Sequence, residues 1–257
     1  MVTTKEGFGH HISSMFNDDL DKVHAQFLAM GGLVESQVAD AMHALLDTDP
    51  ILAAKVQALD TKVNDMETLI DFNLVQILAR RQPAASDLRM VIAISKANTD
   101  LERIGDEAAK IARLAKTASE EGESPRGYTE TRHIGNQVRL MLREALDSFA
   151  RLDAEKALHV LQADAEVDRE YQTATRALMT YMMEDPRYIS RIINVLWVLR
   201  SLERIGDHAR NLAEQVIFMV NGADVRHTSF EEVEKQVLKK YPPKADRPWD
   251  EKKRMLR

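Results

Sequence analysis

Leu101-Glu102-Arg103-Ile104-Gly105-Asp106 recurs residue for residue as Leu202-Glu203-Arg204-Ile205-Gly206-Asp207. Six identical residues in a chain of 257 mark an internal repeat, and a repeat decides the architecture before any single helix does. Upstream of the motif the two copies stay in step: Asp49 matches Asp153, Asp60 matches Asp164, Val63 matches Val167 and Pro83 matches Pro186. The repeating unit is therefore roughly 100 residues long.

Around the first motif Leu101, Ile104, Ala108, Ile111 and Leu114 fall on one side of a helical wheel, the signature of an amphipathic helix. The same spacing, with Val23, Phe27, Met30, Val34, Val38, Ala41 and Leu45, predicts a first helix over 18–47, which Gly31-Gly32 is expected to loosen or kink. Asp49-Pro50 sets an N-cap and a first-turn proline for a second helix ending near Arg81. A third follows Pro83, over 84–118. The second unit repeats the plan over 129–151, 154–183 and 186–221. The expected fold is all-α: two tandem three-helix bundles related by a pseudo-twofold internal repeat. The expected divisions are a flexible start at 1–17, a first bundle at 18–119, a linker at 120–127 and a second bundle at 128–222. A C-terminal tail at 223–257 holds one short helix near 230–240. Two bundles on a short linker predict an elongated, two-lobed molecule.

Composition agrees. Hydrophobic residues make up 44%, enough for a core, while aromatics at 5% and only 10 Gly and 7 Pro leave too little for an all-β fold. The net charge of −6 shows no basic footprint, so nucleic acid is not an expected partner. The absence of cysteine excludes disulfides, thiolate metal sites and a thiol nucleophile. No apolar run suits a signal peptide or a membrane span, so the expected location is the cytoplasm with no membrane insertion.

The candidate chemistry lies in the motif. Glu102 and Asp106, like Glu203 and Asp207, are four residues apart and share one helix face. The wheel puts them nearly opposite Leu101 and Ile104, and Asn211 extends the second row. Adjacent carboxylates on a rigid helix suit hard, oxygen-loving cations. Glu102, Asp106, Glu203, Asp207 and Asn211 are therefore the candidate metal ligands, pointing away from their own bundle cores. Gly105 and Gly206 are read as points of close helix approach. The position three after Glu102 and after Glu203 is glycine, so neither row carries the Glu-x-x-His pair of a di-iron site; no phosphate loop or nucleophile elbow is present, and no catalytic residue is assigned. His43 is read as an ordinary surface or packing residue, His10-His11 as a weak metal clue in a flexible end, and His208 as pointing away from Asp207.

Met30-Gly31-Gly32-Leu33-Val34-Glu35, Arg81-Gln82-Pro83-Ala84-Ala85-Ser86-Asp87-Leu88-Arg89, Leu178-Met179-Thr180-Tyr181-Met182-Met183-Glu184-Asp185 and both hexapeptides resemble the PhoU family over nearly the whole chain. The resemblance implies two three-helix bundles, commonly a homodimer, and a non-enzymatic cytoplasmic adaptor. That adaptor is a negative regulator of phosphate uptake and of the phosphate-starvation response. Its implied partners are a PstB-like transporter ATPase and a PhoR-like sensor histidine kinase. Some members hold multinuclear iron or zinc on Glu/Asp-x-x-x-Asp motifs, a pattern that Glu102 with Asp106 and Glu203 with Asp207 match. The alternatives are a metal-dependent hydrolase or redox enzyme built on the carboxylate rows, and a ligand-free helical scaffold.

Overall fold

A computed structural model describes residues 6–121 and 127–240, with side chains described for 18–120 and 127–239. These residues form helices and no strand: α1 (Glu6–Leu46), α2 (Pro50–Arg81), α3 (Ala85–Glu121), α4 (Tyr128–Arg151), α5 (Ala154–Glu184), α6 (Ile189–Asn221) and α7 (Phe230–Lys240). The all-α reading holds. Asp49 caps α2, its carboxylate accepting from the N–H groups of Ile51 and Leu52, and Asp153 caps α5 in the same way through Glu155 and Lys156. Gly222 closes α6 in the left-handed region at φ 77°, its N–H donating to the Phe218 carbonyl. Glycine takes that conformation without the Cβ clash other residues meet.

Two boundaries differ from the reading above. α1 begins at Glu6 rather than near Asp18, and it runs unbroken through Gly31-Gly32. Pro186–Tyr188 forms a 3-10 turn, so α6 starts at Ile189. The short helix expected near 230–240 is α7, and it packs on the second bundle, burying Val233 and Val237. The expected linker falls mostly in 122–126, which, with 1–5 and 241–257, lies outside the described residues. No helix among the described residues is long and apolar enough to cross a membrane.

Within each lobe the three helices pack mutually: α1, α2 and α3 in the first, α4, α5 and α6 in the second. The lobes are not strung along the linker, however. The most extensive helix contact in the molecule is α3 against α6, one motif helix on the other, with α1 also crossing α4. The crossing is antiparallel. Asn211 Nδ2 donates to Asp100 Oδ1 at 3.0 Å, Arg204 Nη1 donates to Glu107 Oε1 at 3.0 Å, and Lys96 Nζ lies 5.7 Å from the Phe218 ring centroid.

The α1–α4 crossing exposes the pseudo-twofold directly. A Cβ on Gly31 would lie 2.5 Å from Leu146 Cδ2, and a Cβ on Gly135 would lie 2.5 Å from Met42 Cε. Gly31 with Gly135, and Met42 with Leu146, are equivalent in the repeat. Each lobe thus lays its large side chain into the glycine notch of the other. Gly31 is a seat for the opposite lobe, which explains why the helix passes straight through it. Phe27 of α1 and Phe149 of α4 complete the seam, with ring centroids 4.4 Å apart. The buried apolar residues of both lobes belong to one continuous cluster.

Candidate functional site

The motif carboxylates do not stand clear of their bundles as the wheel predicts. Their faces turn along the groove between the motif helix and the middle helix of the same lobe, α2 for α3 and α5 for α6. Glu102 and Glu203 are mostly buried, with side chains only 18% and 13% exposed. The wheel misplaces them because it allows for one core, whereas each motif helix is covered on its own lobe's side and again by the other motif helix.

In the first groove Glu102 and Asp106 meet Asp60 and Glu67 of α2. Burial raises the Glu102 carboxyl above its ordinary range, and Asp106 raises it further. Burial and Asp106 likewise raise Asp60; burial and Glu102 raise Glu67. Asp60 Oδ1 is buried with no hydrogen-bond donor. Lys110, within reach of Asp106 by sequence, instead gives its ammonium to Glu107 Oε1 at 2.8 Å. Gly105 does admit a close approach: a Cβ there would lie 3.2 Å from Gln37 Oε1 and 3.3 Å from Val63 Cγ1. Gly206 is looser, with its nearest neighbour, Val167, at 3.7 Å.

The second groove is denser in charge. Asp164 and Asp168 of α5 face Asp207 of α6, and one oxygen from each carboxylate lies within 4.8 Å of the others. Asp164 is buried, and burial lifts its pKa to about 6 although Arg210 Nη1 donates to its Oδ2 at 3.0 Å. Burial, then Asp168, raises Asp207. Burial, then Asp207, raises Glu203. Glu203 accepts from Arg200 at 2.7 Å through Oε1, while its buried Oε2 has no donor. Arg204 and Arg210, both in reach of Asp207 along the helix, are committed to Glu107 and to Asp164 with Glu214. Arg210 and Arg200 thus relieve Asp164 and Glu203 in part, but burial outweighs them and the carboxyls stay raised.

A family comparison gives this duplication a context. The PhoU domain model matches residues 27–115 and 131–216, once per lobe. The chain belongs to the PhoU family. The phosphate-specific transport system accessory protein PhoU homolog of Pseudomonas aeruginosa is 61% identical over 236 residues, spanning 92% of this chain and 98% of that one. PhoU of Escherichia coli is 43% identical over 225 residues, 88% of this chain and 93% of that protein. The crystal structure of PhoU from Pseudomonas aeruginosa superposes with a TM-score of 0.80 at 63% identity, covering 81% of this chain and 100% of that chain. The phosphate transport system regulatory protein PhoU from Streptococcus pneumoniae superposes at 0.75 with 28% identity, covering 82% and 99%.

The two motifs of this PhoU chain thus sit in equivalent but unequal grooves. Asp168 and Arg210 of the second occupy the repeat positions of Asn64 and Ala109 in the first. In the second groove the donors fit a hard cation. They are carboxylate oxygens gathered to bridging distance, and the buried Glu203 Oε2 lacks a donor. Asn211 is not brought into that row; its amide is spent on Asp100 across the lobe junction. His208 joins it there, with Nδ1 2.8 Å from Asp100 Oδ1. Asp164 and Asp168 are the ligand candidates that reading the motif alone misses. The pairing of Asp60 with Asp164 in the repeat was the available signal.

Proposed function

We propose that this PhoU-family protein is a negative regulator of phosphate uptake and of the phosphate-starvation response. It acts as a non-enzymatic cytoplasmic adaptor between a PstB-like transporter ATPase and a PhoR-like sensor kinase. The observation that carries the reading is the match of both lobes to the family, with relatives named as accessory and regulatory proteins of phosphate transport. Its mechanism is contact rather than chemistry. Long rigid helices present broad surfaces, and the shared core holds those surfaces in a fixed relation.

The acidic grooves give the adaptor a place for metal. Asp164, Asp168, Asp207 and Glu203 would hold a divalent or iron ion in the second lobe; Asp60, Glu67, Glu102 and Asp106 would offer a weaker set in the first. A bound ion would supply positive charge that relieves the crowded carboxylates and sets the charge of the α5–α6 surface. Homodimerisation through the lobes is part of the same reading.

Deletion of the gene tests the proposal. Starvation genes should stay on in phosphate-rich medium, and restoring the chain should silence them. Repression that persists without the protein sinks the adaptor reading. Elemental analysis of protein purified without chelators tests the metal part separately: bound metal should fall in Asp168→Asn and Asp207→Asn.

A further inference from the structure

Past the acidic groove the α5–α6 face turns apolar. Met179 and Met183 of α5 and Ile189, Ile193 and Trp197 of α6 are all exposed, Met183 at 76% and Trp197 at 60%. The two helices are antiparallel and join at Pro186–Tyr188, so these side chains gather at one end of the lobe. Large apolar side chains exposed together mark a contact surface. In the groove beside them four carboxylates, Asp164, Asp168, Glu203 and Asp207, stand against two guanidiniums, Arg200 and Arg210, a net charge of −2. Arg204 is drawn off to Glu107. Asp168 and Asp207 are not buried, and among the described residues neither is in an ion pair.

The surface suits an occupant that is basic along one stretch and apolar along the next. A second copy laid on it face to face would set acid against acid, which disfavours that pairing. The chain carries a fitting segment itself. α7 touches only α5 and α6, burying Val233 and Val237, and ends at Lys240. In residues 241–257 Lys244, Arg247, Lys252, Lys253, Arg254 and Arg257 outnumber Asp246, Asp250 and Glu251, a net charge of +3, and Met255-Leu256 comes directly after the basic run. Lys252 is twelve residues past Lys240, a reach of up to ~40 Å, whereas Ala154 to Asp168 along α5 is ~21 Å. The order matches too. Because α7 follows the end of α6, beside the start of α5, the face presents its acids first and its apolar end second. Trp197 is six residues from Glu203, ~9 Å along the helix, and the two residues after Arg254 extend ~7 Å before side-chain length is added. The first lobe has its own exposed apolar end, with Leu88 and Ile92, but α7 makes no contact with that lobe.

We infer that residues 241–257 fold back onto the α5–α6 face of their own chain, Lys252-Lys253-Arg254 over Asp168 and Asp207 and Met255-Leu256 over Trp197 and Ile193. Tethering makes weak contacts sufficient. A short linker sets an effective concentration in the millimolar range, so a dissociation constant of about 1 mM for the segment keeps about half of the molecules closed. The docked segment masks the apolar end and shares its carboxylates with any cation that enters the groove, so each displaces the other. The closed state needs neither transporter nor kinase.

The chain has no cysteine, so a nitroxide on Arg257→Cys reports the position of the segment alone. The full chain with ¹³C-labelled Met and Ile methyls, in chelator at low salt, should lose about half of the signal at Met179, Met183 and Ile193 relative to the reduced label. Dilution should leave that loss unchanged. Lys252→Gln, Lys253→Gln and Arg254→Gln combined should return the Met179 and Met183 signals to nearly full, as should Ile193→Asp at its exposed site. Undiminished signals at all three methyls overturn the inference, and so does a loss at Ile92 of the first lobe in their place. Loss in a mixture of spin-labelled and separately isotope-labelled chains also overturns it and gives the face to a second copy. A loss that survives removal of the three charges overturns the pairing with Asp168 and Asp207.

Discussion

At the residue scale the acidic grooves store repulsion that pH and cations should reveal. Asp164 titrates near 6 in the fold against 3.8 for an ordinary aspartate. The folded protein therefore holds a proton there that the unfolded chain has already lost. This contribution is fully present below about pH 4 and fades as pH rises through about 6, a loss of order 3 kcal/mol at most. The raised carboxyls of Glu203, Asp207 and Glu102 act with the same sign. Denaturant titrations in chelator should thus show stability falling from pH 4 to 6.5, with a flatter profile in Asp164→Asn. Divalent cation should reverse the trend at neutral pH. At a hundredfold excess over its dissociation constant, about 2.7 kcal/mol is expected, read as a rise in Tm of roughly 5–10 °C. Asp207→Asn should remove most of that rise, and an unchanged rise would place the ion elsewhere. The sequence showed which acids were duplicated. It did not show that Asp164 and Asp168 complete the set, because those residues come from another helix and meet Asp207 only after packing.

At the element scale the helix starts were legible because their causes are local. An aspartate side chain satisfies the free N–H groups of the first turn directly downstream of it, so Asp49 and Asp153 define their helices without help from tertiary contacts. Asp49→Ala and Asp153→Ala should each cost about 1 kcal/mol. The two caps lie in different lobes and share no partner, so the double variant should cost close to the sum in urea denaturation. The glycines were harder to read. Gly31 looked like a weak point in α1, yet it is the notch that seats Leu146. Helix spacing carries no information about what approaches from the other lobe.

At the scale of the whole molecule the seam between the lobes decides behaviour. One apolar cluster runs through both, and α3 with α6 adds Asp100, His208 and Asn211 at one point and Glu107 with Arg204 at another. Calorimetric unfolding should therefore be a single transition with matching calorimetric and van't Hoff enthalpies. Two resolved transitions would show that the lobes are energetically separate. Phe149→Ala removes the ring that meets Phe27 across the seam. It should cost roughly 3–5 kcal/mol and split or broaden that transition, whereas an Asp153→Ala control should only shift it.

The repeat, the all-helical class, the capped starts of α2 and α5 and the duplicated acidic pair were fixed by the chain alone. Each depends on residues close in sequence, where 3.6-residue periodicity and first-turn capping act. The side-by-side packing of the lobes and the burial of Glu102 and Glu203 were decided only by tertiary structure. So were the gathering of Asp164 and Asp168 onto Asp207 and the diversion of Asn211 to Asp100. A helix's own pattern records that one face is apolar; which surfaces close over the rest depends on every other helix at once.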